Sequence, residues 1–282
     1  MKDIIETHPE KIKTIKDRIL QAGPENFHVL ADFDRTLTKA FVGDQKVPSL
    51  ISILRDEGYL TQDYPAKAKA LYNKYHQIEI DSDVSYEDKR SAMHEWWSKH
   101  FELLIASGLS KSDIEHAMLD SGRVEFREKT SELLDLLHQL KIPLIVLSSS
   151  GLGGDSISLF LRRHQKLYKN VHIISNSFEW NKEGKAVKVH QPIIHSMNKD
   201  ETVVRDFPFY QEIKKRKNVI LLGDNENDID MITGFDYTGL IKVGFLNEKV
   251  EERLEQYKEK FDVVISNDGS MEYVFNLIKD LT

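Results

Sequence analysis

The triplet Asp32-Phe33-Asp34 closes a short apolar run, Phe27-His28-Val29-Leu30-Ala31. In extended backbone, side chains two residues apart point the same way, so Asp32 and Asp34 are expected to face one cavity while Phe33 packs behind them. One carboxylate can then attack an electrophile while the other moves a proton. On phosphorus, carboxylate attack gives an aspartyl phosphate and splits one slow hydrolysis into two easier displacements. The leaving alkoxide needs a proton, which Asp34 is suited to donate before drawing one from an incoming water.

Two other segments share the layout of an apolar run ending in small or acidic residues. Residues 142–147 run into Ser148-Ser149-Ser150-Gly151, and Val219-Ile220-Leu221-Leu222 runs into Gly223-Asp224. Apolar runs near 171–175, 240–245 and 262–266 alternate with helical patterns near 128–140, 154–167 and 247–260. That order predicts an α/β fold with a doubly wound, Rossmann-like parallel sheet, and ligands at the carboxyl ends of its strands. Residues 4–20 read as one amphipathic helix stopped by Gly23-Pro24. Between 42 and 126 strand signals vanish, and 50–54, 66–75, 86–105 and 111–119 read as helices. The expected division is core 1–41, inserted helical cap 42–126 and core 127–282, with a β-hairpin over 178–189.

Composition narrows the function classes. Cysteine is absent, which removes disulfides and thiolate metal sites. A formal net charge of -7 disfavours a nonspecific grip on nucleic acid polymers or anionic membranes. No stretch has the eighteen or so apolar residues of a spanning helix, and the first nineteen residues lack a signal-peptide core. The expectation is a soluble, cytoplasmic monomer acting on a small molecule.

The run Asp32-Phe33-Asp34-Arg35-Thr36-Leu37-Thr38 resembles the first motif of the haloacid dehalogenase phosphatases, Asp-x-Asp-x-Thr-Leu-Thr. The resemblance implies roles for later residues. Ser148, or Ser149 in a loop that looks one residue longer than usual, would hold a phosphate oxygen together with backbone N–H groups. Lys199, in His195-Ser196-Met197-Asn198-Lys199, would neutralise the nucleophile and the transferring phosphoryl. Gly223-Asp224-Asn225-Glu226-Asn227-Asp228 is similar to the acidic fourth motif, with Asn227 where a Gly commonly stands. Magnesium, which prefers hard oxygen ligands, would be held by Asp32, the backbone carbonyl of Asp34, Asp224 and Asp228, the last directly or from behind.

An insertion after the first motif strand would lie over the cavity as a lid. Its segments Tyr75-His76-Gln77-Ile78-Glu79-Ile80-Asp81 and Met93-His94-Glu95-Trp96-Trp97-Ser98-Lys99-His100 look like the cap of the cytosolic pyrimidine 5′-nucleotidase family, the cytosolic 5′-nucleotidase III type. By that likeness the substrate is a nucleoside monophosphate such as UMP or CMP, Glu79 hydrogen-bonds the base or sugar, and one of Trp96 and Trp97 stacks on the base. Some relatives prefer 7-methylguanosine monophosphate and some transfer phosphate to another nucleoside. A phosphoserine phosphatase would share the four core motifs, but it offers no ring to stack on the Trp pair and would favour a cap Arg for the substrate carboxylate. A noncatalytic nucleotide-binding protein should have lost Asp32 or Lys199, and both are present.

Overall fold

The structure is a computed structural model that describes residues 4–81, 83–200, 204, 205 and 207–282. Strand β1 (Ile4–Glu6) and helix α1 (Pro9–Ala22) lead into β2 (Phe27–Ala31), all five residues of which are buried. After the loop carrying Asp32 and Asp34 come a small hairpin, β3 (Phe41–Val42) and β4 (Gln45–Lys46), and the helices α2 (Leu50–Asp56), α3 (Tyr64–Ile80), α4 (Tyr86–Ala106) and α5 (Lys111–Glu115). Alternation resumes with α6 (Thr130–Gln139), β5 (Leu144–Leu147), α7 (Gly153–Arg163) and β6 (Val171–Ile174). A second hairpin, β7 (Phe178–Trp180) and β8 (Ala186–Val189), precedes α8 (Tyr210–Ile213) and β9 (Asn218–Gly223). The chain ends with β10 (Gly239–Leu246), α9 (Val250–Lys260), β11 (Val263–Ser266) and α10 (Glu272–Asp280).

The main sheet has the order β1-β11-β10-β9-β2-β5-β6 and is parallel except for β1, which runs antiparallel to β11. Successive strand residues face opposite layers. Val29, Val146 and Ile220 join one buried cluster, whereas their neighbours Leu30, Ile145 and Leu221 join another. Helices α1, α6, α7 and α10 contribute to the first cluster, and α8 and α9 to the second. Covering both faces explains why the strands read as unbroken apolar runs rather than as alternating ones.

Residues 4–20 do not form one helix. Ile4, Ile5 and Glu6 pair with Ile265, Val264 and Val263, and the helix begins at Pro9. Proline fits a first helical turn, where its missing N–H has no partner to lose. Helix α3 also outruns its expected limits and carries Glu79 on its last turn, so Tyr72, His76 and Glu79 share one face at helical spacing.

The helices between β2 and α6 are entered and left side by side. Thr38 bridges Phe126, and Lys39 N–H donates to the Glu125 carbonyl at 3.0 Å. The second hairpin is more than an appendage. Ala186 N–H donates to the Leu109 carbonyl at 2.8 Å and Lys111 N–H to Gly184 at 3.0 Å, while Phe178 meets Phe101 of α4 edge-on with ring centres 5.5 Å apart. It therefore ties the core to the inserted helices. Among the described residues, no helix is long and apolar enough to cross a membrane.

Candidate active site

Strand β2 lies between β9 and β5, at the point where the strand order reverses, and such a crevice is where open α/β sheets bind ligands. Ala31 is in register with Leu222 on one side and Val146 on the other. Asp32, Ser148 and Asp224 consequently leave three adjacent strand ends. Asp32 N–H continues the ladder to the Leu222 carbonyl at 3.0 Å. The backbone then turns instead of extending: Arg35 takes φ 58, ψ 7, and its N–H donates to Thr38 Oγ1 at 2.9 Å. Asp32 and Asp34 line one cavity and Phe33 is buried, but the tight turn and not a strand pleat brings the second carboxylate round.

Lys199 occupies the centre of the acidic group. Its ammonium donates to Asp32 Oδ1 at 2.7 Å and to Asp228 Oδ1 at 2.8 Å, with all three side chains buried. The other oxygen of Asp228 accepts from the N–H groups of Asp224 (3.1 Å) and Asn225 (3.0 Å). Gly223 makes room for this carboxylate, since a Cβ there would lie 2.5 Å from the Asp228 Cβ. Asp224 is steadied from the far side by Tyr257, whose buried hydroxyl donates to its carbonyl at 2.5 Å. Asn227, standing where a Gly was expected, is exposed, has no left-handed backbone, and donates its N–H to Asn225 Oδ1 at 3.0 Å. The substitution therefore imposes no strain.

One ammonium cannot balance these carboxylates. Burial pushes Asp32 up to about 7, with Lys199 opposing and Asp228 and Asp34 adding to the rise. Burial likewise raises Asp224, reinforced by Asp228 and Asp32, and raises Asp34 against the pull of Arg35 and Lys199. Burial works against the Lys199 charge, but Asp228 and Asp32 outweigh it and hold the ammonium protonated well above its usual range. The deficit of positive charge fits a cation site. One ligand oxygen each from Asp32, Asp224 and Asp228 lie within 4.8 Å of one another, a hard-oxygen set of the kind that divalent cations take.

Ser148 and Ser149 follow β5, and both line the cavity. Ser148 is buried, and its Oγ accepts from Ser150 N–H at 3.2 Å, leaving its own proton free to be aimed elsewhere. Ser149 is only half-buried. Buried Asn176 joins this loop to the one carrying Lys199: its Nδ2 donates to the carbonyls of Ser150 (3.2 Å) and Ile194 (2.9 Å), and its Oδ1 accepts from Ile194 N–H at 2.8 Å. A further asparagine, Asn198, shapes the turn before Lys199 through Ile193 O (2.8 Å) and His195 N (2.7 Å). The role of Asn176 has no local signal in the sequence, because it joins segments that only the fold brings together, whereas the bonds of Asn198 stay within its own turn.

The cavity measures about 980 Å³ and runs from the carboxylates up between α2, α3 and α4. Glu79, Trp96 and Trp97 all line it. Trp97 is wedged between core and helices: it packs against the main cluster and Phe101, and a Cβ on Gly151 would come 2.9 Å from its ring. Trp96 instead sits against Tyr72 and Tyr75, both at 6.0 Å between ring centres. Tyr72, which the sequence reading passed over, lines the cavity and stacks on His76 at 4.7 Å, and His76 Nδ1 meets Glu79 Oε2 at 3.1 Å. Its spacing of four and seven residues from His76 and Glu79 was the available signal. Arg55 of α2 also lines the cavity, so an Arg stands in the segment where a phosphoserine phosphatase would favour one. Its Nε and Nη2 are occupied by Asp56, at 2.7 and 3.1 Å.

The profile described as "Pyrimidine 5'-nucleotidase (UMPH-1)" matches residues 35–282. The chain belongs to the pyrimidine 5′-nucleotidase family. It is accordingly a 5′-nucleotidase, a phosphoric monoester hydrolase on the haloacid dehalogenase fold. The 7-methylguanosine phosphate-specific 5'-nucleotidase of Gallus gallus is 31% identical over 272 residues, covering 96% of this chain and 93% of that protein. Its counterpart of the same name in Drosophila melanogaster is 33% identical, covering 94% of this chain and 82% of that one. The solved structure of cytosolic 5'-nucleotidase IIIB bound to cytidine has a TM-score of 0.90 at 31% identity, over 100% of this chain and 94% of its own. A phospho-aspartyl intermediate analogue of phosphoserine phosphatase has a TM-score of 0.52 at 17% identity, covering 89% of this chain and 97% of that one, a likeness of fold alone.

Proposed function

We propose that this member of the family hydrolyses nucleoside 5′-monophosphates through an aspartyl phosphate on Asp32. The observation that carries the reading is Asp32 held 2.7 Å from the Lys199 ammonium at the foot of an aromatic-roofed cavity. The Asp32 carboxylate attacks phosphorus, and the bond from phosphorus to the ribose O5′ breaks as Asp34 gives O5′ its proton. A water then attacks the same phosphorus, losing its proton to Asp34, and releases phosphate and free Asp32. Lys199 stays charged throughout, while the Ser148 hydroxyl and the loop before α7 hold a phosphoryl oxygen. Asp32, Asp224 and Asp228, with the Asp34 carbonyl, would hold Mg²⁺, which when bound would supply positive charge to offset the negative charge of the phosphoryl group.

Residues 42–126 serve as the cap that closes over the leaving nucleoside, and Trp96 is our choice for the stacking ring because Trp97 is engaged with the core. Pyrimidine monophosphates are the first reading, supported by the family and by the cytidine bound in the IIIB relative. A second reading, 7-methylguanosine monophosphate, is supported by the names of the Gallus gallus and Drosophila melanogaster relatives. The Glu79 carboxylate beside Tyr72 and Trp96 also suits a ring that carries positive charge and N–H donors. The cytosolic name of the IIIB relative supports action in the cytosol.

Phosphate release from UMP, CMP, 7-methylguanosine monophosphate and phosphoserine, each with magnesium and with chelator, tests this reading. At least one nucleotide should exceed phosphoserine by roughly a hundredfold in kcat/KM, a gap of about 2.7 kcal/mol, and chelation should abolish turnover. Preference for phosphoserine, or turnover unaffected by chelator, would refute it.

A further inference from the structure

Arg127 lies outside the cavity, where the chain re-enters the core. Its side chain is 0% exposed. A guanidinium offers five N–H donors in a rigid plane, and each of these meets an acceptor. Nε donates to the Thr36 carbonyl at 2.8 Å, Nη1 to Gly269 O at 2.7 Å and Asp268 Oδ1 at 3.0 Å, and Nη2 to Arg35 O and to Asn247 Oδ1 at 2.9 Å. The Phe245 ring lies 4.3 Å from the guanidinium carbon. Burial lowers Arg127 to about 10, with Asp268 opposing, so the charge persists at neutral pH.

Two of these five acceptors lie on the stretch beside the site. Arg35 and Thr36 directly follow Asp34, and the Arg127 backbone N–H donates to the next carbonyl, that of Leu37, at 3.0 Å. The Arg35 carbonyl receives a second bond, from Asn247 Nδ2 at 3.0 Å. This is the residue at φ 58, a left-handed conformation that is unfavourable for a non-glycine residue and persists only where its surroundings impose it. The counter-ion Asp268 also holds the Ala40 and Phe41 N–H groups, at 2.9 and 3.0 Å, on the strand leading to the cap.

We infer that Arg127, seconded by Asn247, is a positioning residue for Asp34: it pins the left-handed turn that swings the Asp34 carboxyl toward the leaving-group oxygen. The inference rests on the reading of Asp34 as the acid that protonates that oxygen. Loosening the turn should harm the transfer of a proton more than the binding of phosphate. The harm should be greatest for a substrate whose leaving group needs the proton. Nucleoside alkoxides do, whereas p-nitrophenolate leaves without one.

The test compares kcat/KM, which covers the steps through cleavage of the ester bond, for a nucleoside monophosphate and for p-nitrophenyl phosphate in Arg127→Lys, Asn247→Ala and Asp34→Asn. General acid catalysis contributes about 10² to 10⁴. Arg127→Lys should therefore lose about tenfold to a hundredfold on the nucleotide and under about fivefold on the aryl ester, with KM for both little changed. Asn247→Ala, which keeps the buried cation, should show the same asymmetry at about threefold to tenfold, and it decides the matter if the lysine variant melts early by circular dichroism. Equal losses on the two substrates in both variants, with Asp34→Asn still asymmetric, would overturn the inference and leave the proposed mechanism standing. Symmetry in Asp34→Asn itself would overturn both.

Discussion

The floor and the roof of the cavity are built differently. On the floor the groups are locked by short hydrogen bonds: Lys199 donates to Asp32 and Asp228, Asp228 accepts from two backbone N–H groups, and the Asp224 backbone carbonyl accepts from Tyr257. The roof is a set of rings, exposed Tyr72 and half-buried Trp96 and Trp97, with the Glu79 carboxylate steadied by His76. A buried charge array tolerates little change, since removing one partner strands another in a poor dielectric. Ring contacts are individually weak, each worth about 0.5 to 1.5 kcal/mol beyond its buried area, and yield by degrees. The fixed floor therefore suits one reaction, and the roof can be retuned to another base without disturbing it.

The largest expected effect is on the floor. Asp32→Asn keeps the shape and removes the attacking oxygen, so kcat should fall at least about a thousandfold on nucleotides and on p-nitrophenyl phosphate alike. A loss confined to nucleotides would place Asp32 in substrate recognition and erase the distinction between the two regions.

A change in the roof should discriminate instead. Base stacking is worth about 1 to 3 kcal/mol, so Trp96→Ala should raise KM for nucleotides by roughly fivefold to a hundredfold and leave the aryl ester nearly unchanged. Trp97→Ala, at the wedge against Gly151 and Phe101, should instead lower thermal stability and affect both substrates. The reverse pattern would exchange the roles of the two rings. Glu79→Gln should sharpen the comparison further. A hydrogen bond to a charged group is worth about 1.5 to 3 kcal/mol, so activity on 7-methylguanosine monophosphate should suffer more than activity on UMP if the second reading of the base is right.

The same contrast governs what the sequence reveals. The parallel sheet was legible because strands buried on both faces must be apolar throughout, and Asp32 and Asp224 announced themselves as acids at the ends of such runs. Helix α3 was ended at 75, short of its last turn, because Ile78 and Ile80 stand two apart and continue no helical spacing. β1 was read as helix because three residues of an edge strand give no periodicity, and only the partner β11 decides their state. Arg127 and Asn176 were illegible for a stronger reason. Their acceptors belong to segments remote in sequence, so their importance exists only in the folded arrangement.

The smallest effect separates the two regions by pH. Burial, helped by Arg216, lowers His28 of β2 to about 3, and burial, helped by Arg55, lowers His100 of α4 to about 4. Each binds a proton near 6.5 once unfolded. Between those values the unfolded chain binds more protons than the folded one, so stability is full above about 6.5 and falls as the pH drops toward the folded values. At pH 5.5 the loss is about 1.4 kcal/mol for each histidine. His28→Leu sacrifices no hydrogen bond, since both ring nitrogens lack partners, and should recover that amount in the sheet. His100→Phe forfeits only the 3.4 Å contact with the Tyr64 hydroxyl and should recover nearly as much in the cap. In a background carrying Trp97→Phe and Trp180→Phe the remaining indole, Trp96, packed on Tyr72 and Tyr75 of α3, reports the cap, while far-ultraviolet circular dichroism follows the whole chain. If core and cap unfold separately, His100→Phe moves the fluorescence transition at pH 5.5 and His28→Leu moves the later dichroism transition. If each variant moves both transitions equally, floor and roof melt as one body, and the roof's freedom to be retuned is a matter of side chains and not of a separable domain.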